Sequence, residues 1–377
     1  MNKDYHLSLF EAGTAVPFGE SLMDMGIVVA ESNIVTVKGE LISIMVSGKG
    51  NDIESRILSA KGELVERCSI LTAKPDWIGS FKNAQSAVCP KNLILDSLAL
   101  LPSSVSLYCE NTVVEWTEFT SLIDQQKKLI HRPTNSNHPI FFIHNSNGAA
   151  AHFNRETAII NGLLELIEKH SLLNHWYHRK AGLNIEPRNC IQEVEWLAKH
   201  GFQIVFQDIS FNEIVPVVWC FAFSQETGKL QGGVVTGCSA GRNLEQACKS
   251  AILEVIQTIE IALMSARTNS LKDINENIYF YLDVKNKVAF DFLFRDAINK
   301  AKEVGEIQNL SDLVEKLEKL NYEPFFVERN SLDCEYTVVE TVVPGLQPLT
   351  LGVDKKGSRT SNLNLSNNLV FWPQPLG

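Results

Sequence analysis

One short pattern occurs three times and constrains most of what this chain can become. In SAKGELVER, a helix brings Ser59, Glu63 and Glu66 onto one face at i, i+4 and i+7. The spacing returns at Asn161, Glu165 and Glu168 in NGLLELIEK, and at Ser250, Glu254 and Gln257 in SAILEVIQT. Each time a small polar residue leads, a glutamate follows, and a glutamate or glutamine closes the stripe. The surrounding segments, ILSAKGELVERCSIL, AIINGLLELIEKHSLL and ACKSAILEVIQTIEIAL, are otherwise apolar. A single stripe is what the solvated face of any amphipathic helix looks like. Three of them in one chain point to one shared site.

Such a site would gather Glu63, Glu66, Glu165, Glu168 and Glu254. Two carboxylates about 4 Å apart repel by roughly 4 kcal/mol at an effective dielectric near 20, so the acids need cations among them. Glutamate oxygens suit Mg²⁺, which usually arrives with phosphate oxygens completing its shell. The residues therefore read as a magnesium–nucleotide site on three helices, with these five glutamates on the metal and Ser59, Asn161, Glu254 and Gln257 toward the nucleotide. Gly48-Lys49-Gly50, just before the first helix, can bring Lys49 and helix N-terminal amides to a phosphate, or can simply be a solvated turn. Ser146-Asn147-Gly148, ahead of the second helix, can offer hydroxyl and amide groups to a nucleotide, or can simply cap the helix.

Composition removes several function classes. At 377 residues the chain can build one large core or two domains, and 45% hydrophobic with 21% charged residues is ordinary globular usage. A net charge of −10 argues against a nucleic-acid or anionic-membrane partner. No apolar run is long enough to span a bilayer, and MNKDYHLSLFEAG lacks the apolar core of a signal peptide. The eight cysteines are scattered without a CxxC pair, which predicts reduced thiols and a cytoplasmic protein. His170, His175 and His178 share one helix without HExxH spacing and read as packing or surface histidines.

Along the chain, residues 24–47 predict two strands and the first helix begins near Asp52. Residues 70–135 alternate short strands and turns, with LILDSLALLP as helix or strand. Ile140–His144 reads as a short buried strand, and the second helix begins near Arg155. VEWLAKHG, FQIVFQDIS and VPVVWCFAF form a helix–strand–strand module; LVEKLEKLN, PFFVERN and YTVVETVVP repeat it. GGVVTGCSAGRN and the third stripe helix lie between them. The fold class is thus mixed α/β (α+β), with no Gly/Ser or Pro-rich linker. The polar LGVDKKGSRTSNLNLSNNL predicts a mobile loop, and Phe371–Gly377, carrying two prolines, predicts a docked tail.

These residues resemble the YcaO family. Ser59, Glu63, Glu66 and Arg67 match its SxxxExxER motif in full; SNGAAAHFNRETAIINGLLELIEKH resembles its second block, and Glu254 with Gln257 its third. GFQIVFQDISFNEIVPVV and VVETVVPGLQP look like its strand modules, the latter ending at Pro344-Gly345-Leu346. HSLLNHWYHRKAG is similar to the stand-alone D subunits of synthetases that make thiazole- and oxazole-containing microcins. Two places depart from the family. Ser250, with Lys249 beside it, stands where members often carry arginine, and the chain ends PQPLG rather than PxPxP.

The resemblance implies one YcaO-like domain over 1–377: N-terminal strands in 1–50, the three helices and first module in 51–265, a helix and second module in 266–355, and loop plus tail in 356–377. It implies ATP and Mg²⁺ as cofactors. It further implies a cyclodehydratase that phosphorylates a backbone amide oxygen of a ribosomal precursor peptide after Cys, Ser or Thr has added to the amide carbon, giving thiazolines or oxazolines. Glu63, Glu66 and Arg67 would then be catalytic, Arg67 and Lys49 would contact phosphates, and the C-terminal carboxylate of Gly377 is a candidate base. Expected partners are a leader-bearing precursor, an E1-like leader-binding subunit and a flavin-dependent azoline dehydrogenase, with no nucleic acid and no membrane. Two other readings stay open: a YcaO reaction with another nucleophile, giving a thioamide or macroamidine, and a weakly catalytic scaffold subunit.

Overall fold

Apolar alternation near the N-terminus builds β2 (Val28–Val35) and β3 (Leu41–Gly48), which continue an antiparallel sheet from β1 (Tyr5–Leu9). The computed structural model describes residues 5–9, 28–36, 39–50, 52–93, 108–133, 138–139, 146–225, 230, 232–268, 276–295, 304–347 and 372–375. The readings of LILDSLALLP, of Ile140–His144, of the polar loop and of Gly377 fall outside these residues in whole or nearly so.

Helix α1 (Ile53–Leu71) starts where the sequence predicts. Ser55 N–H donates to Asp52 Oδ1 (2.7 Å) and Asp52 N–H to Ser55 Oγ (3.2 Å), a reciprocal cap that satisfies two helix-end donors. The end of β3 presses so closely on α1 that a Cβ at Gly48 would lie 1.8 Å from the Arg56 carbonyl oxygen. Only glycine permits that approach.

There follow β4 (Trp77–Ser80), β5 (Val113–Ser121), β6 (Lys127–His131), β7 (Ala149–His152) and α2 (Arg155–Tyr177), the second stripe helix, capped by the Asn154 side chain. The first module supplies β8 (Leu183–Ile185), α3 (Ile191–Lys199), β9 (Phe202–Asp208) and β10 (Val217–Ser224). Then come β11 (Val234–Ala240), α4 (Leu244–Thr268), α5 (Glu276–Leu282) and α6 (Phe292–Arg295). The second module is α7 (Leu310–Lys319), β12 (Phe325–Arg329) and β13 (Thr337–Val342).

The strands form two further antiparallel sheets, ordered β4-β5-β12-β13-β7 with β6 on β5, and β11-β10-β9-β8. Helices fill the spaces between sheets. α1 buries Ala60, Leu64 and Cys68 against the N-terminal sheet and Val65 against Val338 of β13. α2 lies between the other two sheets, packing Leu163, Leu172 and Trp176 among Val339, Trp219 and Phe221. α4 covers the outer face of the last sheet with Ala251, Ile252, Val255 and Ile259. A buried ion pair, Arg56 Nη1 to Glu260 Oε2 at 3.2 Å, ties α1 to α4.

Strand β11 is absent from the sequence reading. Its VVTGCSA mixes small and polar residues around Gly237 and carries little strand signal. The tail does seat on the core. Main-chain carbonyls of Trp372, Pro373 and Pro375 accept hydrogen bonds from Trp176 Nε1 (3.1 Å), the Tyr281 hydroxyl and Thr236 Oγ1 (3.0 Å).

Candidate active site

Among the described strands β7 and β11 end their respective sheets, so each presents backbone amides that no described strand accepts. The stripe helices run past these two edges, and their glutamates take those amides. Glu165 Oε2 accepts from Gly148 N–H just ahead of β7 (3.0 Å). On β11, Glu254 Oε2 accepts from Cys238 N–H (2.9 Å) and Glu168 Oε2 from Ala240 N–H (3.2 Å). One oxygen of each carboxylate is thereby anchored to rigid backbone. Gly148 has φ +82, and a Cβ there would lie 2.5 Å from the Thr341 carbonyl oxygen, so the turn that offers its amide requires glycine.

Electrostatic coupling links all five acids. Burial in the cleft, then the charges of Glu165 and Glu63, push the Glu66 carboxyl well above the ordinary range, against the pull of Arg67. Glu165 is pushed up to about 7, first by burial and then by Glu168 and Glu63, while Lys169 opposes the shift. Glu168 is raised by burial and by Glu254, with Lys169 and Lys49 opposing. The row Glu63, Glu66, Glu165, Glu168, Glu254 is therefore a continuous patch of mutually repelling charge.

Lys169, which the sequence reading passed over, lies inside this patch. It is 8% exposed, ion-pairs with Glu168, and is held protonated by Glu168, Glu254 and Glu165 despite its burial. The only signal in the sequence was a lysine directly after a stripe glutamate in an apolar helix. Five carboxylates face Lys169, Lys49 and Arg67, so full ionisation would leave two negative charges unmatched, and the raised Glu66, Glu165 and Glu168 carboxyls register that repulsion. An all-oxygen donor set with that excess fits a hard divalent cation such as Mg²⁺. Among the described residues no three acids stand in a ready-made ligand shell.

The other predicted residues take varied places. Arg67 Nη2 bridges to Glu63 Oε1 one turn back at 2.7 Å, both side chains partly exposed. Ser59 Oγ accepts the Lys49 backbone N–H at 3.3 Å; the exposed Lys49 is near enough to Glu168 to oppose its shift. Gln257 Nε2 donates to the Ser47 carbonyl (3.0 Å) and hydroxyl (2.8 Å), clamping the end of β3 to α4. Ser146 and Asn147 form the turn before β7, closed by Ala149 N–H to Ser146 O at 2.9 Å, with Asn147 buried. Asn161 is exposed on α2. Lys249, beside the departure at Ser250, ion-pairs with Glu193 of α3, which turns it away from the acids.

The same fold occurs in solved structures. A heterocyclase in complex with substrate and cofactor superposes with a TM-score of 0.69 at 17% identity, over 85% of this chain and 48% of that one. This chain thus spans about half of that heterocyclase's length. The E. coli microcin synthetase McbBCD complex with pro-MccB17 bound includes a chain matching with a TM-score of 0.68 at 15% identity, over 93% of this chain and 96% of its own. YcaO from Methanopyrus kandleri, bound with AMPPCP and Mg²⁺, gives 0.60 at 19% identity, over 85% and 83%. No curated protein matches the sequence significantly. Residues 47–347, from the end of β3 through the turn after β13, match the family model described as YcaO cyclodehydratase, ATP- and Mg²⁺-binding, so the chain belongs to the YcaO family.

Proposed function

We propose that this chain is the ATP-dependent cyclodehydratase of a peptide-maturing system and forms thiazoline or oxazoline rings on a ribosomal precursor. The observation that carries the reading is the half-buried acidic patch built from α1, α2 and α4, whose excess of acids over bases suits a metal–nucleotide complex. A substrate Cys, Ser or Thr side chain adds to the preceding carbonyl carbon. The carbonyl oxygen leaves as phosphate, a C=N bond closes the ring, and ATP becomes ADP with net loss of one water from the peptide. When bound, Mg²⁺–ATP supplies the phosphoryl group that makes this oxygen a leaving group, and the metal offsets its charge.

The chain's own residues do the positioning. Glu63, Glu66, Glu165, Glu168 and Glu254 hold the metal. Lys49 and Arg67 lie toward the phosphates, and Ser59, Ser146, Asn147, Asn161 and Gln257 border the nucleotide. Lys169 keeps the carboxylates together. The C-terminal carboxylate of Gly377 is proposed as a candidate base; the tail ahead of it seats through the Pro375 carbonyl on Thr236, on the same strand as Cys238 and Ala240. A leader-bearing precursor, an E1-like leader-binding subunit and a flavin-dependent dehydrogenase are the partners proposed. The microcin synthetase complex with pro-MccB17 bound, among the structural neighbours, supports work on a precursor within a complex. Eight free thiols support work in a reducing compartment, the cytoplasm.

The test is mass spectrometry of a Cys- and Ser-bearing precursor incubated with the chain, its leader-binding partner and Mg²⁺–ATP. Loss of one water per ring is expected, and disappears with Glu63→Gln. ATP consumption without that loss rejects the azoline reading, and replacement of oxygen by sulfur selects thioamide formation instead.

A further inference from the structure

The histidines of α2 do more than pack. A cavity of about 500 Å³ opens between the C-terminal half of α2, the turn joining β9 to β10, and the segments around Tyr322 and Gly345. α2 contributes His170, Ser171, Asn174 and His175 to its wall; Phe211 and Tyr322 contribute aromatic surface. Ser171 is 3% exposed, and its hydroxyl has no hydrogen-bond partner among the described residues. A buried hydroxyl without a partner, on a residue that lines a cavity, is one that a ligand atom or an ordered water can complete.

The polar character of the wall can be read atom by atom. His170 Nδ1 accepts from the Gln347 backbone N–H at 3.0 Å, so its remaining proton sits on Nε2, a donor. His175 Nδ1 lies 3.0 Å from the Lys180 carbonyl oxygen and must carry its proton there, which leaves Nε2 an acceptor. Accepting at Nδ1 leaves the His170 ring neutral, and burial pushes His175 down to about 4, so it too is neutral near pH 7. Among the described residues no carboxylate lines the cavity, and the exposed Lys180 is on its wall. The wall thus offers neutral donors and acceptors beside aromatic rings, which suits a planar group with both hydrogen-bond senses rather than an ion.

Ser171 stands three residues beyond Glu168, a separation of about 4.5 Å along a helix axis. A peptide anchored in the cavity would need only about two extended residues, roughly 7 Å, to pass the acidic patch. We propose that this cavity binds a neutral planar side chain of the precursor peptide, a carboxamide or a phenol, and so sets the distance from that residue to the amide being activated. The proposal rests on the reading that the substrate is a peptide.

Fluorescence anisotropy on the full chain tests it, using labelled pentapeptides Gly-Gly-X-Gly-Gly with X as Asn, Gln, Tyr, Asp or Lys. The Asn, Gln or Tyr peptides should bind at least about tenfold more tightly than the Asp and Lys peptides. Ser171→Val and Asn174→Leu should each weaken that binding by about tenfold or more, whereas Glu63→Gln should change it by less than about twofold. Thermal melts confirm that each variant folds; if a buried substitution does not, His178→Trp at the exposed rim crowds the same mouth and should give the same loss. Equal binding of all five peptides, or a loss with Glu63→Gln as large as with Asn174→Leu, overturns the proposal. Mg²⁺–AMPPCP binding by the unmodified chain is measured separately. Its absence would overturn the nucleotide reading, whereas its presence alongside a featureless peptide panel would overturn only the cavity.

Discussion

Two centres of buried charge stand on the same helices, α1 and α4, and they are built to opposite plans. Arg56 and Glu260 meet one to one, with side chains only 4% and 2% exposed. A turn or two along, Glu63, Glu66 and Glu254 join the α2 glutamates in a patch where acids outnumber bases. There one cation balances one anion, and Arg56 Nε also donates to the Gly50 carbonyl at 3.1 Å. The patch is anchored on edge amides yet keeps unmatched charge, as expected of a surface that awaits a cation. Buried charge alone therefore does not single out a candidate site; an imbalance of charge does.

The largest expected effect breaks the balanced centre. Arg56→Met leaves Glu260 buried without its cation and should cost about 3–5 kcal/mol in denaturant unfolding. Arg56→Met with Glu260→Leu should recover most of that loss, because an apolar pair of similar volume fills the space. The opposite response is expected of the patch. Glu66→Gln should lower ATP turnover at least about a hundredfold, or roughly 2.7 kcal/mol, while the melting temperature without Mg²⁺ holds or rises, since one of several repelling charges has gone.

The pH dependence sharpens the contrast. Glu165 and Glu260 are both pushed up to about 7, mainly by burial, from an ordinary value of 4.5. Between those values the folded chain binds more protons than the unfolded one, so stability without metal should fall as pH rises from about 4.5 to 7 and level off above. At about 1.4 kcal/mol per pH unit, each of the two groups contributes at most roughly 3 kcal/mol. Saturating Mg²⁺ should remove the part due to Glu165 and leave the part due to Glu260; melts across pH with and without the metal separate them. The smallest effect concerns the tail. Tyr281→Phe removes the hydroxyl that donates to the Pro373 carbonyl and should cost about 1 kcal/mol, read from the unfolding midpoint.

Much of the site was legible because it is written locally. A residue at i, i+4 and i+7 shares a helix face whatever surrounds it, so Glu63, Glu66, Glu165, Glu168, Glu254 and Gln257 could be picked out one helix at a time. The cap at Asp52 and the start of α2 at Arg155 were readable for the same reason. Lys169 was not, since a lysine beside a glutamate is ordinary on any helix and becomes notable only when burial removes water from both. The role of Lys249 was likewise hidden until α3 placed Glu193 against it.

By itself, the sequence determined the three glutamate stripes, the two helix–strand–strand modules, the mixed class of the fold and the resemblance to YcaO proteins. Each of these depends on residues a few positions apart. Only the tertiary structure decided that β7 and β11 end their sheets side by side with the stripe helices, that their free amides anchor Glu165, Glu254 and Glu168, and that neutral histidines line a cavity farther along α2. Those facts depend on which strands lie at an edge and which groups lose their water, and both are set by contacts between segments far apart in the chain.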